Sequence, residues 1–147
     1  NQILGFIERA VKKGAVVLTG GIRLKRQGFF MAPTVLENVF PKDEISRKEI
    51  FGPVVCLYKA KNFAEALNLA NDSDFKLTSA IHTRNMETAM KFVNGHQTGV
   101  VRVNGPTFGS EPHMPFGGVG LSGNGWREPG KQALDFYSDW KQVSFDV

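Results

Sequence analysis

Cysteine is almost absent from this sequence. Cys56 stands alone among 147 residues, which excludes a disulfide within the chain. Long hydrophobic runs are absent too, so neither a membrane-spanning helix nor a signal peptide is expected. Histidine is scarce and scattered: His82, His96 and His113 have no carboxylate or thiol companions at metal-ligand spacing, and no metal site is expected. The 18 Lys and Arg against 14 Asp and Glu leave a net charge of +4, spread along the chain. The tightest basic group, Arg23, Lys25 and Arg26, lacks an interleaved aromatic platform, so no nucleic-acid partner is expected. Asn71-Asp72-Ser73 fits a glycosylation sequon by letters, but without a secretion signal it reads as chance, and a reducing, cytoplasmic setting is expected. The chain opens on Asn1, without methionine and already in a helical pattern, which suggests a portion of something longer.

What is present is globular: 41% hydrophobic and 22% charged residues, enough for one ordinary domain with its own core. Ile3, Leu4, Ile7 and Val11 recur at helical spacing over residues 1–13, with Gly14 as the C-terminal cap. Residues 15–18 read as a strand, 22–30 as a polar loop or hairpin, and 33–39 as a second strand ended by Pro41. The apolar run 54–59 reads as a strand buried on both faces. Asn62 caps a helix with Glu65 in the capping-box position, and Phe63, Ala66, Leu67 and Ala70 form its inner stripe. Residues 77–82 form the next strand. Asn85 then caps a helix that turns Met86, Ala89, Met90 and Val93 inward and ends at Gly95, and residues 99–103 form another strand. Strand, helix, strand, helix, strand over 54–104 predicts an α/β fold with a mostly parallel sheet and flanking helices, and ligands beyond the carboxyl ends of its strands.

Asn104 opens a glycine-rich loop over 104–127, long enough to suggest ordered contact with a ligand. A helix is expected over 130–136. The tail alternates Val143, Phe145 and Val147 against Gln142, Ser144 and Asp146, the pattern of a half-buried strand able to pair with another subunit.

Glu49-Ile50-Phe51-Gly52-Pro53 ends a charged run and leads into the apolar strand. Its carboxylate can accept two hydrogen bonds from a vicinal diol, and its phenyl ring offers a flat wall to a planar heterocycle. The same five residues also fit a plain turn with one exposed acid. Phe108 and Phe116 fit either loop anchors or the walls of a substrate pocket, and His113 shares their loop. Gly118-Val119-Gly120-Leu121-Ser122-Gly123 matches the dinucleotide fingerprint by letters but lacks the preceding strand and following helix that the fingerprint needs. Cys56, between Val55 and Leu57, reads as an inert core thiol. Glu128 reads as an acid at a helix start, and Trp126 and Trp140 as packing residues.

Glu49-Ile50-Phe51-Gly52-Pro53, then Asn104-Gly105, then Met114-Pro115-Phe116-Gly117-Gly118 with Ser122-Gly123-Asn124-Gly125 and Arg127-Glu128 together resemble the aldehyde dehydrogenase superfamily, in order and spacing over essentially the whole chain. Within it the sequence looks most like enzymes of semialdehydes such as 2-oxoglutarate semialdehyde. The resemblance implies oxidation of an aldehyde to an acid with NAD or NADP, through a cysteine thioester. It implies a nicotinamide-ribose contact at Glu49, a nicotinamide contact at Phe51, and an aldehyde pocket drawing on Phe108, His113 and Phe116. It further implies that residues 1–137 are the C-terminal portion of a catalytic domain, and that 138–147, with Trp140 to Val147, are a strand joining a homo-oligomer. Cys56 does not match the nucleophile's motif, so no catalytic residue is expected in this chain and it should be inactive alone. Gly120 and Leu121 replace a basic position common in the superfamily, and an extra residue near Trp126 lengthens that loop. A stand-alone binding or assembly module with the same fold is the alternative expectation.

Overall fold

A computed structural model describes residues 2–146. Two compact units, Asn1–Ser73 and Asp74–Val147, divide the α/β chain.

In the first unit, α1 (Gln2–Lys12) buries Phe6, Ile7 and Ala10 on one face. Gly14 ends it at φ +103°, and Ala15 N–H returns to the Ala10 carbonyl at 3.1 Å. β1 (Val16–Thr19) pairs antiparallel with β2 (Thr34–Glu37), with a register irregularity between Val17 and Thr19. Gly20 sits where a Cβ would run into the Pro33 carbonyl, and its φ of +76° also suits glycine alone. Thr34 is buried with its hydroxyl satisfied: Oγ1 accepts from Gly21 N–H at 2.8 Å and donates to the Ala32 carbonyl at 2.9 Å. α2 (Glu44–Arg47) follows, then β3 (Val54–Cys56), parallel to β2, and α3 (Phe63–Asn71). Leu36, fully buried on the central strand β2, joins Phe6, Ile7, Ala10, Ala15, Val39 and Ile45 in one core.

α2 carries no apolar stripe, and the sequence gives no local sign of it. Ile45 drops into the core while Glu44 meets Arg9 Nε at 2.8 Å and Asp43 meets Lys13 at 3.2 Å. The helix is therefore held by α1 rather than by its own propensity.

β3 departs from expectation. It is three residues long and lies at the sheet edge, with Val55, Leu57 and Tyr58 exposed instead of buried on both faces. Asn62 caps α3 as expected, its Oδ1 accepting from Glu65 N–H at 2.9 Å, while the Glu65 carboxylate accepts from Lys61 N–H, one residue before the cap, at 2.6 Å, a shifted form of the expected capping box. Its expected inner stripe is only half realised, since Phe63 and Leu67 are half-buried while Ala66 and Ala70 are exposed.

In the second unit, β4 (Phe75–Lys76) is followed by β5 (Thr78–Ile81), α4 (Met86–Gly95) and β6 (Val100–Val103). β5 and β6 run parallel in register from Thr78 opposite Val100 to Ile81 opposite Val103. Asn85 caps α4 as expected, its Oδ1 accepting from Thr88 N–H at 2.8 Å. Of the four residues expected inward, Ala89 is buried, joined by Phe92, while Met86, Met90 and Val93 are exposed. The Phe92 ring packs on His96 with centroids 4.8 Å apart, so the face at 89, 92 and 96 turns inward in place of the methionine face.

The expectation of one parallel sheet over 54–104 is not met as stated. Parallel pairing joins β2 to β3 and β5 to β6 in separate sheets, and β1–β2 pairs antiparallel. β7 (Val119–Gly120) pairs antiparallel with β4, and α5 (Ala133–Phe136) is a single turn. No helix follows Gly123 before α5, which is the context the dinucleotide fingerprint would need. Residues 140–146 carry no strand pairing among the described residues, and Val147 lies outside them.

The loop after Asn104 is ordered by close backbone packing. A Cβ on Gly99 would overlap the backbone of Gly117, and one on Gly123 would overlap that of Gly118. Phe116 and Glu128 exchange two backbone hydrogen bonds of 2.8 and 2.9 Å, Arg127 donates to the Gly118 carbonyl at 3.0 Å, and Ser122 Oγ accepts from Lys76 N–H at 3.0 Å.

Candidate functional site

The Glu49–Pro53 stretch is pinned at both ends. Before it, the Arg47 guanidinium donates to both carboxylate oxygens of Asp72, at 2.9 and 2.5 Å, and to the Asp72 carbonyl at 2.7 Å. After it, the Pro53 carbonyl accepts from Thr34 N–H at 2.8 Å. Between these anchors Ile50 packs onto the core and Gly52 lies against Ile3 so closely that a Cβ would sit 2.5 Å from its Cδ1. Glu49 and Phe51 are left facing solvent. Phe51 adopts φ +54°, a conformation costly for a residue with a Cβ, and its side chain is 88% exposed. The Glu49 carboxylate takes no hydrogen bond or salt bridge from the described residues.

The Phe51 ring borders an open cavity of about 390 Å³, walled by Ile3, Leu4, Arg23, Phe29 and Met31. Arg23 lies over the Phe29 ring at 5.8 Å and Arg26 over Phe30 at 3.6 Å. An exposed carboxylate two residues from a ring beside an apolar hollow is able to hold a polyol next to a planar heterocycle.

Cys56 lies elsewhere in the same unit. It is half-buried and packed against the edge of the core, and it also lines a groove of about 410 Å³ with Leu57, Tyr58, Ala66 and Leu69; neither Glu49 nor Phe51 borders it. Burial pushes the Cys56 thiol up, against a smaller opposing effect of its hydrogen bond with Tyr58. The Tyr58 hydroxyl is pushed up by burial too, and shares a 2.6 Å hydrogen bond with Ser46. A thiol so placed stays protonated at neutral pH and is a poor nucleophile.

In the second unit, Phe116 lines a cavity of about 250 Å³ with Met114, Pro115, Val100, Arg102 and Glu111. Phe108, 79% exposed, and His113, also exposed, do not border it. Asn104, at φ +55°, clamps the turn after β5: its Nδ2 donates to the Thr83 carbonyl at 2.9 Å and its Oδ1 accepts from Thr83 N–H at 2.8 Å. Arg102 was not foreseen as a site residue. Four consecutive residues, Gly99 to Arg102, border the cavity, so the period-two alternation of β6 did not single it out. Among the described residues no cluster of His, Cys, Asp or Glu is able to hold a metal ion.

The family model for the aldehyde dehydrogenase family matches residues 1–143. The chain belongs to the aldehyde dehydrogenase family. It is 42% identical to a mitochondrial aldehyde dehydrogenase of Leishmania tarentolae, over 98% of the chain and 28% of that protein. It is 38% identical to an alpha-ketoglutaric semialdehyde dehydrogenase of Bacillus subtilis, over 97% of the chain and 30% of that protein. Among solved structures, an NAD-dependent aldehyde dehydrogenase of Sinorhizobium meliloti superposes with a TM-score of 0.90 at 34% identity, over 95% of this chain and 28% of that one. A betaine aldehyde dehydrogenase of Staphylococcus aureus, solved with NAD+, does so with a TM-score of 0.86 at 34% identity, over 93% of this chain and 28% of that one. The chain thus spans under a third of the length of these aldehyde dehydrogenases. No helix among the described residues is long and apolar enough to cross a membrane.

Proposed function

We propose that this chain serves as the C-terminal part of the catalytic domain of an NAD(P)-dependent aldehyde dehydrogenase, with 1–137 as catalytic-domain structure and 138–147 as an oligomerisation strand. Glu49 accepts hydrogen bonds from the hydroxyls of the nicotinamide ribose, and Phe51 walls the nicotinamide. When bound, that ring supplies the hydride acceptor. The observation that carries this reading is the left-handed Phe51, which presents its ring to solvent at the lip of an apolar hollow, two residues from an uncommitted carboxylate. Strained backbone of this kind clusters at ligand clamps and active sites, which supports a ligand-facing role for Phe51.

Phe116, with Phe108 and His113 on its loop, contributes to the aldehyde pocket. The thioester chemistry falls to a cysteine other than Cys56, whose thiol is held protonated. Mostly parallel strand order belongs to the assembled domain, and the exposed Val143 and Phe145 supply the apolar face of the tail strand. Similarity to full-length aldehyde dehydrogenases over 97–98% of the chain supports this reading over a stand-alone module.

Nicotinamide mononucleotide is the probe. Titrated into the chain, it should shift the amides around Glu49 and Phe51 in proton–nitrogen correlation NMR, and Glu49→Gln and Phe51→Ala should weaken it. Shifts confined to other residues would refute the assignment. Incubated with NAD and an aldehyde, the chain should form no NADH.

A further inference from the structure

We propose that the second unit's cavity holds the carboxylate end of an aldehyde acid, and that Arg102 is the residue that reads it. The inference rests on the aldehyde dehydrogenase reading above and adds to it the residue of this chain that selects an acid-bearing aldehyde.

A guanidinium stays charged at any physiological pH and presents five N–H donors in a planar fork that matches a carboxylate. In Arg102 one nitrogen is committed: Nη2 donates to the Gly109 carbonyl at 2.8 Å. That bond ties the head group to the loop. The other donors meet no acceptor among the described residues, and the side chain borders the 250 Å³ cavity. Two other basic side chains of this unit are engaged: Lys76 donates to Gln97 at 2.9 Å, and Arg127 to the carbonyls of Gly118 and Trp126, each at 3.0 Å.

The rest of the lining fits the remainder of such a molecule. Met114, Pro115 and Phe116 give methylene groups an apolar wall, while Ser110 adds a hydroxyl. The volume is below that of pockets for drug-sized ligands, roughly 300 to 1,000 Å³, and suits a chain of a few carbons. Glu111 also lines the cavity and opposes an anion, yet it forms no salt bridge with Arg102, so the guanidinium is not neutralised in place. An uncharged aldehyde would leave the Arg102 fork without an acceptor, which disfavours it relative to an acid of the same length. The alpha-ketoglutaric semialdehyde dehydrogenase of Bacillus subtilis is named for a substrate of this chemical class.

The test titrates the full chain with glutarate, and with glutaramide as the uncharged control. It is read by NMR at the Arg102 Nε–H and at the backbone amides of residues 99–116. Glutarate should give saturable shifts at Arg102, Met114 and Phe116, weakened by salt, and glutaramide should give none. Arg102→Met should lower glutarate affinity roughly ten- to a hundredfold, the scale of a charged hydrogen-bonded contact. Arg102→Lys should retain part of it and Glu111→Gln should tighten it. Equal binding of glutaramide, no saturation with glutarate, or undiminished glutarate binding by a folded Arg102→Met chain would overturn the proposal. If Arg102→Met does not fold, Arg102→Lys decides: affinity identical to the parent would overturn it, because lysine lacks the fork. Nicotinamide mononucleotide reads Glu49 and Phe51 separately. Its failure with glutarate binding intact would sink the cofactor assignment and leave the anion site standing.

Discussion

Arg47 grips Asp72 through two guanidinium nitrogens, Nη1 to Oδ1 at 2.9 Å and Nη2 to Oδ2 at 2.5 Å, and so joins α2 to the end of α3. Arg9 and Lys48 hold Glu44 on the other side of the same short helix. Glu49 and Phe51 follow directly, so these exposed charged pairs add to the hold that Ile45 and Ile50 already give the segment on the core.

The charged pairs have a pH signature. Hydrogen bonding from Arg47 holds the Asp72 carboxyl below its ordinary range, and Arg9 first, then Lys48, do the same for Glu44. As pH falls, the unfolded chain takes up these protons before the folded one. The stabilisation is therefore complete above the ordinary carboxylate range, around pH 4, and is lost as pH falls through the lowered folded values. Urea midpoints measured across this interval should fall in the parent and fall less steeply in Asp72→Asn and Glu44→Gln. Added salt should flatten the parent's profile as well.

Leu36 is the counterweight in the core, at 0% exposure on the central strand of its sheet. Leu36→Ala should cost about 2–5 kcal/mol by urea denaturation, since packed neighbours on β1, β3 and α1 limit collapse into the space. Asn62→Ala removes one cap bond at an exposed helix start and should cost about 1 kcal/mol. A larger loss for the cap than for Leu36 would contradict the placement of the core.

The caps were legible because a capping residue and its partner lie three positions apart: Asn62 with Glu65, and Asn85 with Thr88. α2 was not legible, because its support comes from Arg9, 35 residues upstream of Glu44. β4 and β7 are two residues each and exist only through their pairing. The inward face of α4 was misplaced because periodicity alone does not rank Met90 against Phe92, whose ring finds His96. At the site, the residue types at Glu49, Phe51 and Phe116 were readable, and the hollows beside Phe51 and Phe116 were not, since Arg23 and Phe29 lie over twenty positions away from Phe51 in sequence. The left-handed backbone of Phe51 gave no signal either, because phenylalanine is not a residue that marks such a position.

Cys56 tests the groove chemistry. Burial raises its thiol and the Tyr58 hydrogen bond partly opposes that. Alkylation by iodoacetamide at neutral pH should be slower than for a free thiol and should accelerate only above the ordinary cysteine range. Tyr58→Phe removes the opposing bond and should shift the alkylation profile to still higher pH. A fast reaction at neutral pH would show an activated thiol and reopen its role as nucleophile.

Phe51 sets stability against binding. Its positive φ strains any residue with a Cβ, whereas glycine adopts it freely. The side chain is 88% exposed, so little packing is lost on its removal. Phe51→Gly should therefore raise stability by about 1 kcal/mol, the strain released outweighing the added freedom of the unfolded chain. The same change should abolish the nicotinamide mononucleotide shifts near Glu49, because the flat wall is gone. Phe51→Ala keeps the strain and also loses the wall, and should bind as poorly without the gain in stability. Equal urea midpoints for the glycine and alanine variants would mean that the backbone at Phe51 relaxes in solution. The residue would then be an ordinary turn position rather than a ring held out for a ligand.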